Sequence, residues 1–187
     1  MKQLIRKLVY SKCITQLMVI FFSIFYDKSY IKGKFFEEKR AGFLWCLQSI
    51  PRLRKLHIQN IKFPVGRYTE ILNGANIKFD PSSINVFQQS GCYFQAFELI
   101  TIGKDVWIAK NVGIITANHD LTNPNEHQKG KSVFIGDNCW IGMNSVILPG
   151  VKLGDNTIVG AGSVVTKSFE SGHVVIAGNP AKVIKNI

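Results

Sequence analysis

The sequence predicts an all-β fold: a parallel β-helix of six-residue repeats, with a helical or irregular segment before it and a short cap after it. Three observations lead there. Aliphatic residues recur at every sixth position, small or β-branched residues hold a second register four positions further on, and glycine gathers directly after the aliphatic column. A helix buries every third or fourth residue and a half-buried strand every second one, so neither accounts for a period of six.

The first element is the segment 1–67. Its charge is unusual. It holds fourteen Lys and Arg against Asp27, Glu37 and Glu38, whereas the remaining 120 residues hold nine of each sign, so the whole net charge of +11 lies here. A nucleic-acid binder would spread its charge over a groove-facing surface, so no nucleic-acid partner is expected. A positive arm on a neutral body suits an anionic surface or substrate instead. Lys2, Arg6, Lys7 and Lys12 precede CITQLMVIFFSIFY, which is too short for a bilayer core of about 30 Å and is followed by no small-x-small cleavage site. Two readings stand: a helix packed on the body or on a neighbouring subunit, and an interfacial helix on the inner face of an anionic membrane.

The second element, residues 68–187, carries the repeat. The aliphatic column runs Ile102, Ile108, Ile114, Ile135, Ile141, Ile147, Leu153, Val159, Val165 without a polar interruption. The register is expected to persist upstream through Ile84, Ser90 and Ala96 as an irregular first coil. Three repeats close one triangular turn, with the aliphatic residues pointing inward and the column of Val106, Val112, Asn118, Cys139, Ser145, Val151, Thr157, Ser163 and Phe169 near a corner. Gly103, Gly136, Gly142, Gly154 and Gly160 are expected to supply positive φ at the corners. Residues 116–134, TANHDLTNPNEHQKGKSVF, break the repeat as a polar excursion, which points to function. The tail AGNPAKVIKNI is expected to cap the open end. With 46% apolar and 19% charged residues, the chain fits one ordinary domain. Cys13, Cys46, Cys92 and Cys139 lack metal-type spacing and suit a reducing cytoplasm.

The repeats, TANHD, IGDNCWIGMNSVILPGV, VGAGSVVTKS and AGNPAK together resemble the left-handed β-helix acyltransferases, nearest to bacterial sugar and capsular-polysaccharide O-acetyltransferases. The resemblance covers about Asn85 to Ile187. It implies a left-handed coil, a homotrimer, and acetyl-CoA as co-substrate between adjacent prisms, with no metal.

His119 matches the family's catalytic base. Imidazole titrates close to neutrality and can take the proton of an attacking hydroxyl. Adjacent side chains on extended backbone diverge, so a backbone carbonyl is expected to hold its second nitrogen rather than Asp120. His57, His127 and His173 are expected to be plain surface residues. Asn118, Trp140 and Phe97 are implied to meet the acceptor. Gly142, Met143, Gly160, Ala161, Thr166 and Lys167 match positions along the coenzyme groove, with Lys167 or Lys182 near the phosphates. Ala96 stands where galactoside and maltose acetyltransferases carry Asn, which argues against those simple sugars as acceptors. The reaction expected is direct O-acetylation of a sugar hydroxyl in a surface polysaccharide or its precursor. Alternatives are N-acetylation of a nucleotide-linked amino sugar, O-acetylation of serine, a β-helix carbonic anhydrase and a non-enzymatic scaffold. The 67 residues before the repeat are expected to leave no room for the long helical domain of serine acetyltransferases, and no His occupies the repeat columns as zinc would need.

Overall fold

The structure, a computed structural model, describes residues 11–38 and 41–187. Lys2, Arg6 and Lys7 of the basic cluster therefore lie outside the described residues.

Four short helices lead in: α1 (Lys12–Phe22), α2 (Lys34–Glu37), α3 (Ala41–Ser49) and α4 (Leu53–Ile58). Ser11 caps α1 by accepting from the Ile14 amide. The helix buries Phe22, and Tyr26 beyond it is buried too, while Leu17, Ile20 and Ile24 face outward at 61%, 64% and 73% exposure. The Tyr26 hydroxyl donates to the Cys46 carbonyl at 2.9 Å and lies 2.7 Å from Ser49 Oγ. Rings pack in two groups: Phe22 on Phe43 among the helices, and Tyr30 on Phe79, Phe63 on Phe87 and Phe87 on Phe94 leading into the body. Contacts of this kind contribute about 0.5–1.5 kcal/mol each beyond area burial. An ion pair between Lys34 and Asp105 adds a tie at the surface.

The body is a three-faced parallel coil. Its first turn has β1 (Glu70–Leu72), β2 (Ile77–Phe79) and a 3-10 stretch, Pro81–Gln88, as the third side. The second turn has β3 (Tyr93–Gln95), β4 (Ile100–Ile102) and β5 (Trp107–Ile108). The third has β6 (Gly113–Ile115), β7 (Val133–Ile135) and β8 (Trp140–Ile141). The fourth has β9 (Val146–Ile147), β10 (Lys152–Leu153) and β11 (Ile158–Val159). The last has β12 (Val164–Val165) and β13 (Val174–Gly178), followed by β14 (Ala181–Asn186), which returns antiparallel along β13. The first face stacks β1, β3, β6, β9 and β12, the second β2, β4, β7 and β10, and the third β5, β8, β11, β13 and β14.

Ile135 pairs with Leu153 and Ile147 with Val165, so one turn consumes eighteen residues, three hexapeptides. Every member of the aliphatic column from Ile102 to Val165 is at most 2% exposed. The small corner residues are buried with their polar atoms satisfied: Ser145 and Ser163 both donate to the Gly160 carbonyl, and Thr157 to that of Gly154.

Three expectations need correction. The inward residue below Ile114 is Phe94, paired with it directly, and not Ala96, which is buried at the following corner. Two extra residues between β3 and β4 shift the register, and Ile84 lies in the 3-10 stretch instead of a strand. Asn118 leaves the corner column because the excursion has already begun, and it is exposed.

The glycine column also serves another purpose. Positive φ falls two positions later, at Asp105, Asn111, Asn138, Asn144, Gly150, Asn156 and Gly162. Asn, Asp and Gly tolerate that region best. The glycines instead admit the next coil. A Cβ on Gly142 would lie 2.6 Å from the Ala161 nitrogen, and one on Gly160 would lie 2.8 Å from the Ala177 Cβ.

Candidate active site

The excursion leaves the coil where the first face turns into the second and folds into an antiparallel ribbon. Lys131 N donates to the Thr116 carbonyl at 2.7 Å, Gln128 N to that of Asn118 at 2.9 Å, and Asp120 N to that of Glu126 at 2.9 Å. Its root is pinned as well: Thr116 Oγ1 donates to the Gln95 carbonyl and accepts from the Glu98 amide, while the Gln95 side chain accepts from the Ala117 amide.

His119 stands exposed on this ribbon, with Nδ1 2.7 Å from the Pro124 carbonyl oxygen. A carbonyl only accepts, so Nδ1 carries the proton and Nε2 keeps its lone pair. Asp120 plays no part in this. Its carboxylate accepts from the Thr122 hydroxyl and from the amides of Thr122 and Asn123, and those bonds hold it below the ordinary carboxylate value.

His127 is exposed at the surface, beside His119. Its ring lies 4.3 Å from that of His119, tilted by 33°, and Phe97 meets the other side of the group edge-on at 5.7 Å from His127. Phe97 is held in turn, since Asn76 Nδ2 donates to the carbonyls of Ala96 and Phe97. Residues 119 and 127 meet through the reversal at 123–126, where the Glu126 amide donates to the Asn123 carbonyl. The absence of any apolar alternation in the ribbon concealed it.

The other expected residues lie along two edges flanking the first face. Asn118, His119 and Phe97 share one edge with Thr166 and Lys167, which follow β12 two turns further on. Gly142, Met143, Gly160 and Ala161 lie on the other, where the third face turns into the first. Trp140 precedes that second edge, 54% exposed and stacked in register with Trp107. Lys182 is on β14. The expected residues of one chain thus fall on two separate edges, and no ring contact or hydrogen bond joins Trp140 to His119 among the described residues.

Burial pushes the Cys139 thiol up to about 11 and the Cys46 thiol up to about 12, which makes neither a nucleophile near neutrality. Among the described residues no cluster of three His, Cys, Asp or Glu could hold a metal ion, and no helix is long and apolar enough to cross a membrane.

Comparison with known proteins agrees with the coiled fold. The family described as bacterial transferase hexapeptide (six repeats) matches residues 132–167. The chain is 51% identical over 107 residues to a Dictyostelium discoideum protein that carries an acetyltransferase name, the match covering 55% of each. It spans about half the length of the curated relatives it matches. A maltose O-acetyltransferase from Clostridium difficile 630 is 31% identical with a TM-score of 0.50, over 96% of this chain and 88% of that one. A galactoside acetyltransferase solved in complex with coenzyme A is 27% identical with a TM-score of 0.60, over 84% of both chains. With its six-residue repeats wound into their left-handed parallel β-helix, the chain belongs to the hexapeptide-repeat acetyltransferase family.

Proposed function

We propose that the protein transfers an acetyl group from acetyl-CoA to a sugar hydroxyl of a surface polysaccharide or its precursor, with His119 as general base. The observation that carries this reading is the hydrogen bond from His119 Nδ1 to the Pro124 carbonyl, which fixes the tautomer whose Nε2 accepts a proton. The acceptor O–H bond breaks toward Nε2 as the oxygen attacks the thioester carbonyl carbon. The C–S bond then breaks, and the imidazolium returns its proton to the departing thiolate. Phe97 gives the acceptor an apolar wall beside the base, and Asn118 a polar contact. Direct transfer is favoured over an acyl-enzyme because the buried thiols stay protonated.

The division of the site between two edges supports a homotrimer. Threefold packing would set the His119 edge of one prism against the edge with Trp140, Gly142, Met143, Gly160 and Ala161 of the next, enclosing a groove for the pantetheine arm. Lys167 and Lys182 carry the positive charge for its phosphates. A cytoplasmic setting suits the unpaired cysteines. Peripheral contact with an anionic membrane suits Leu17, Ile20 and Ile24 beside Lys12 and Lys28.

The test is mass spectrometry of glycan and nucleotide-sugar acceptors incubated with acetyl-CoA and the protein. Gain of one acetyl group that mild base removes supports an ester on a hydroxyl. A base-resistant product would move the reading to an amide, and no product with any sugar acceptor would overturn it.

A further inference from the structure

We infer that His127 is a positioning residue for His119. The inference rests on the reading of His119 as the base and deepens it. Residues 119 and 127 form an antiparallel bridge. The bonds beside it run from Gln128 N to Asn118 O and from Asp120 N to Glu126 O, so the two residues face each other across the ribbon without bonds of their own. In such a pair the side chains share one face at the closest spacing a ladder allows. The rings accordingly lie 4.3 Å apart. The Pro124 carbonyl fixes His119 at Nδ1, His127 covers its face, and Phe97 backs His127 edge-on. The base is therefore clamped on a ribbon whose outer part has only an exposed Leu121 for apolar packing.

Kinetics and nuclear magnetic resonance of the full-length protein test the role. His127→Ala should lower kcat by about tenfold or more with KM for acetyl-CoA held, and His127→Phe should recover most of that loss because the flat ring returns. Relaxation measurements without substrate should find the His119 ring ordered in wild type and in His127→Phe and mobile in His127→Ala. Wild-type kcat in His127→Ala, or a His119 ring equally ordered there, overturns the positioning role. The relaxation measurement needs no substrate, so failure to acetylate any acceptor would sink the proposed function and leave the positioning to be judged on its own.

Discussion

The side-chain amide of Asn111 donates across one coil to the side-chain oxygen of Asn144, 3.1 Å away, and both residues hold φ at +59°. The corner that turns the chain and the ladder that joins successive coils are thus made by the same side chains. Asn144→Ala loses both and should cost about 1–2 kcal/mol for the left-handed backbone, with the lost hydrogen bond in addition. Asn144→Gly loses only the bond. Thermal melting should separate the two, at about 2–4 °C per kcal/mol for a chain of this size.

Gly142 and Gly162 make an opposed pair of tests. A Cβ on Gly142 meets backbone atoms of the next coil, whereas Gly162, at φ +69°, has nothing within 4 Å. Gly162→Ala should therefore show only the conformational cost of about 1–2 kcal/mol. Gly142→Ala should lose more, on the order of 3 kcal/mol, because packed backbone cannot yield. Equal losses in denaturant titrations would refute the close-approach explanation.

His119→Asn keeps size and polarity but cannot accept a proton near neutrality. The turnover number should fall about 10²–10⁴-fold while the dissociation constant for acetyl-CoA stays put. The wild-type rate should rise with pH, since only the neutral ring takes a proton. Near-wild-type turnover in the Asn variant would remove His119 from the mechanism.

Alkali should unfold the protein over a defined window. Cys139 is raised by burial from 9.0 to about 11, and Tyr26, raised from 10.0 to about 12 by burial, adds a second group. An unfolded chain loses those protons first, so unfolding releases protons there and stability falls as pH rises from about 9 upward. Below that window neither group contributes. Denaturant midpoints measured from about pH 8 to about pH 11 should decline, and less steeply in Cys139→Ala.

Deleting residues 1–26 cannot test the outer face of α1 by itself, because it also removes Phe22 and Tyr26 from the core. Loss of a buried Phe alone typically costs about 3–5 kcal/mol. Leu17→Glu with Ile20→Glu and Ile24→Glu is the cleaner change. It should leave melting nearly unmoved and abolish salt-sensitive flotation with anionic liposomes. Unchanged flotation would remove the membrane from the proposal.

The body was legible in the sequence where one physical requirement recurs many times. Ile102 to Val165 repeat because each must fill the same narrow prism, so the period survives any single exception. The N-terminal helices have no such redundancy. Phe22, Phe36 and Phe43 are buried by one another, and nothing in their spacing says which partner each will meet. Ala96 stands in the column where Phe94 belongs because two residues are inserted once, and a period cannot announce a single slip. In the site, TANHD pointed to His119, but the partnership with His127 depends on a ribbon whose register is held by backbone bonds between polar residues. The glycine column was recognised correctly as constrained and wrongly explained. Absence of a Cβ serves both positive φ and close approach, and the sequence does not distinguish them.

β14 decides where the third face of the coil ends. Without it, β13 would offer a free row of amides and carbonyls to which another coil, or another chain, could add. By doubling back, β14 occupies that row and places Lys182 and Lys185 on the strand that takes its place at the margin. Growth of the stack is thereby arrested by a terminator that makes no demand on how many coils precede it. The architecture is a rod with a fixed stop and a variable count, in which evolution could insert or delete blocks of eighteen residues without redesigning either end.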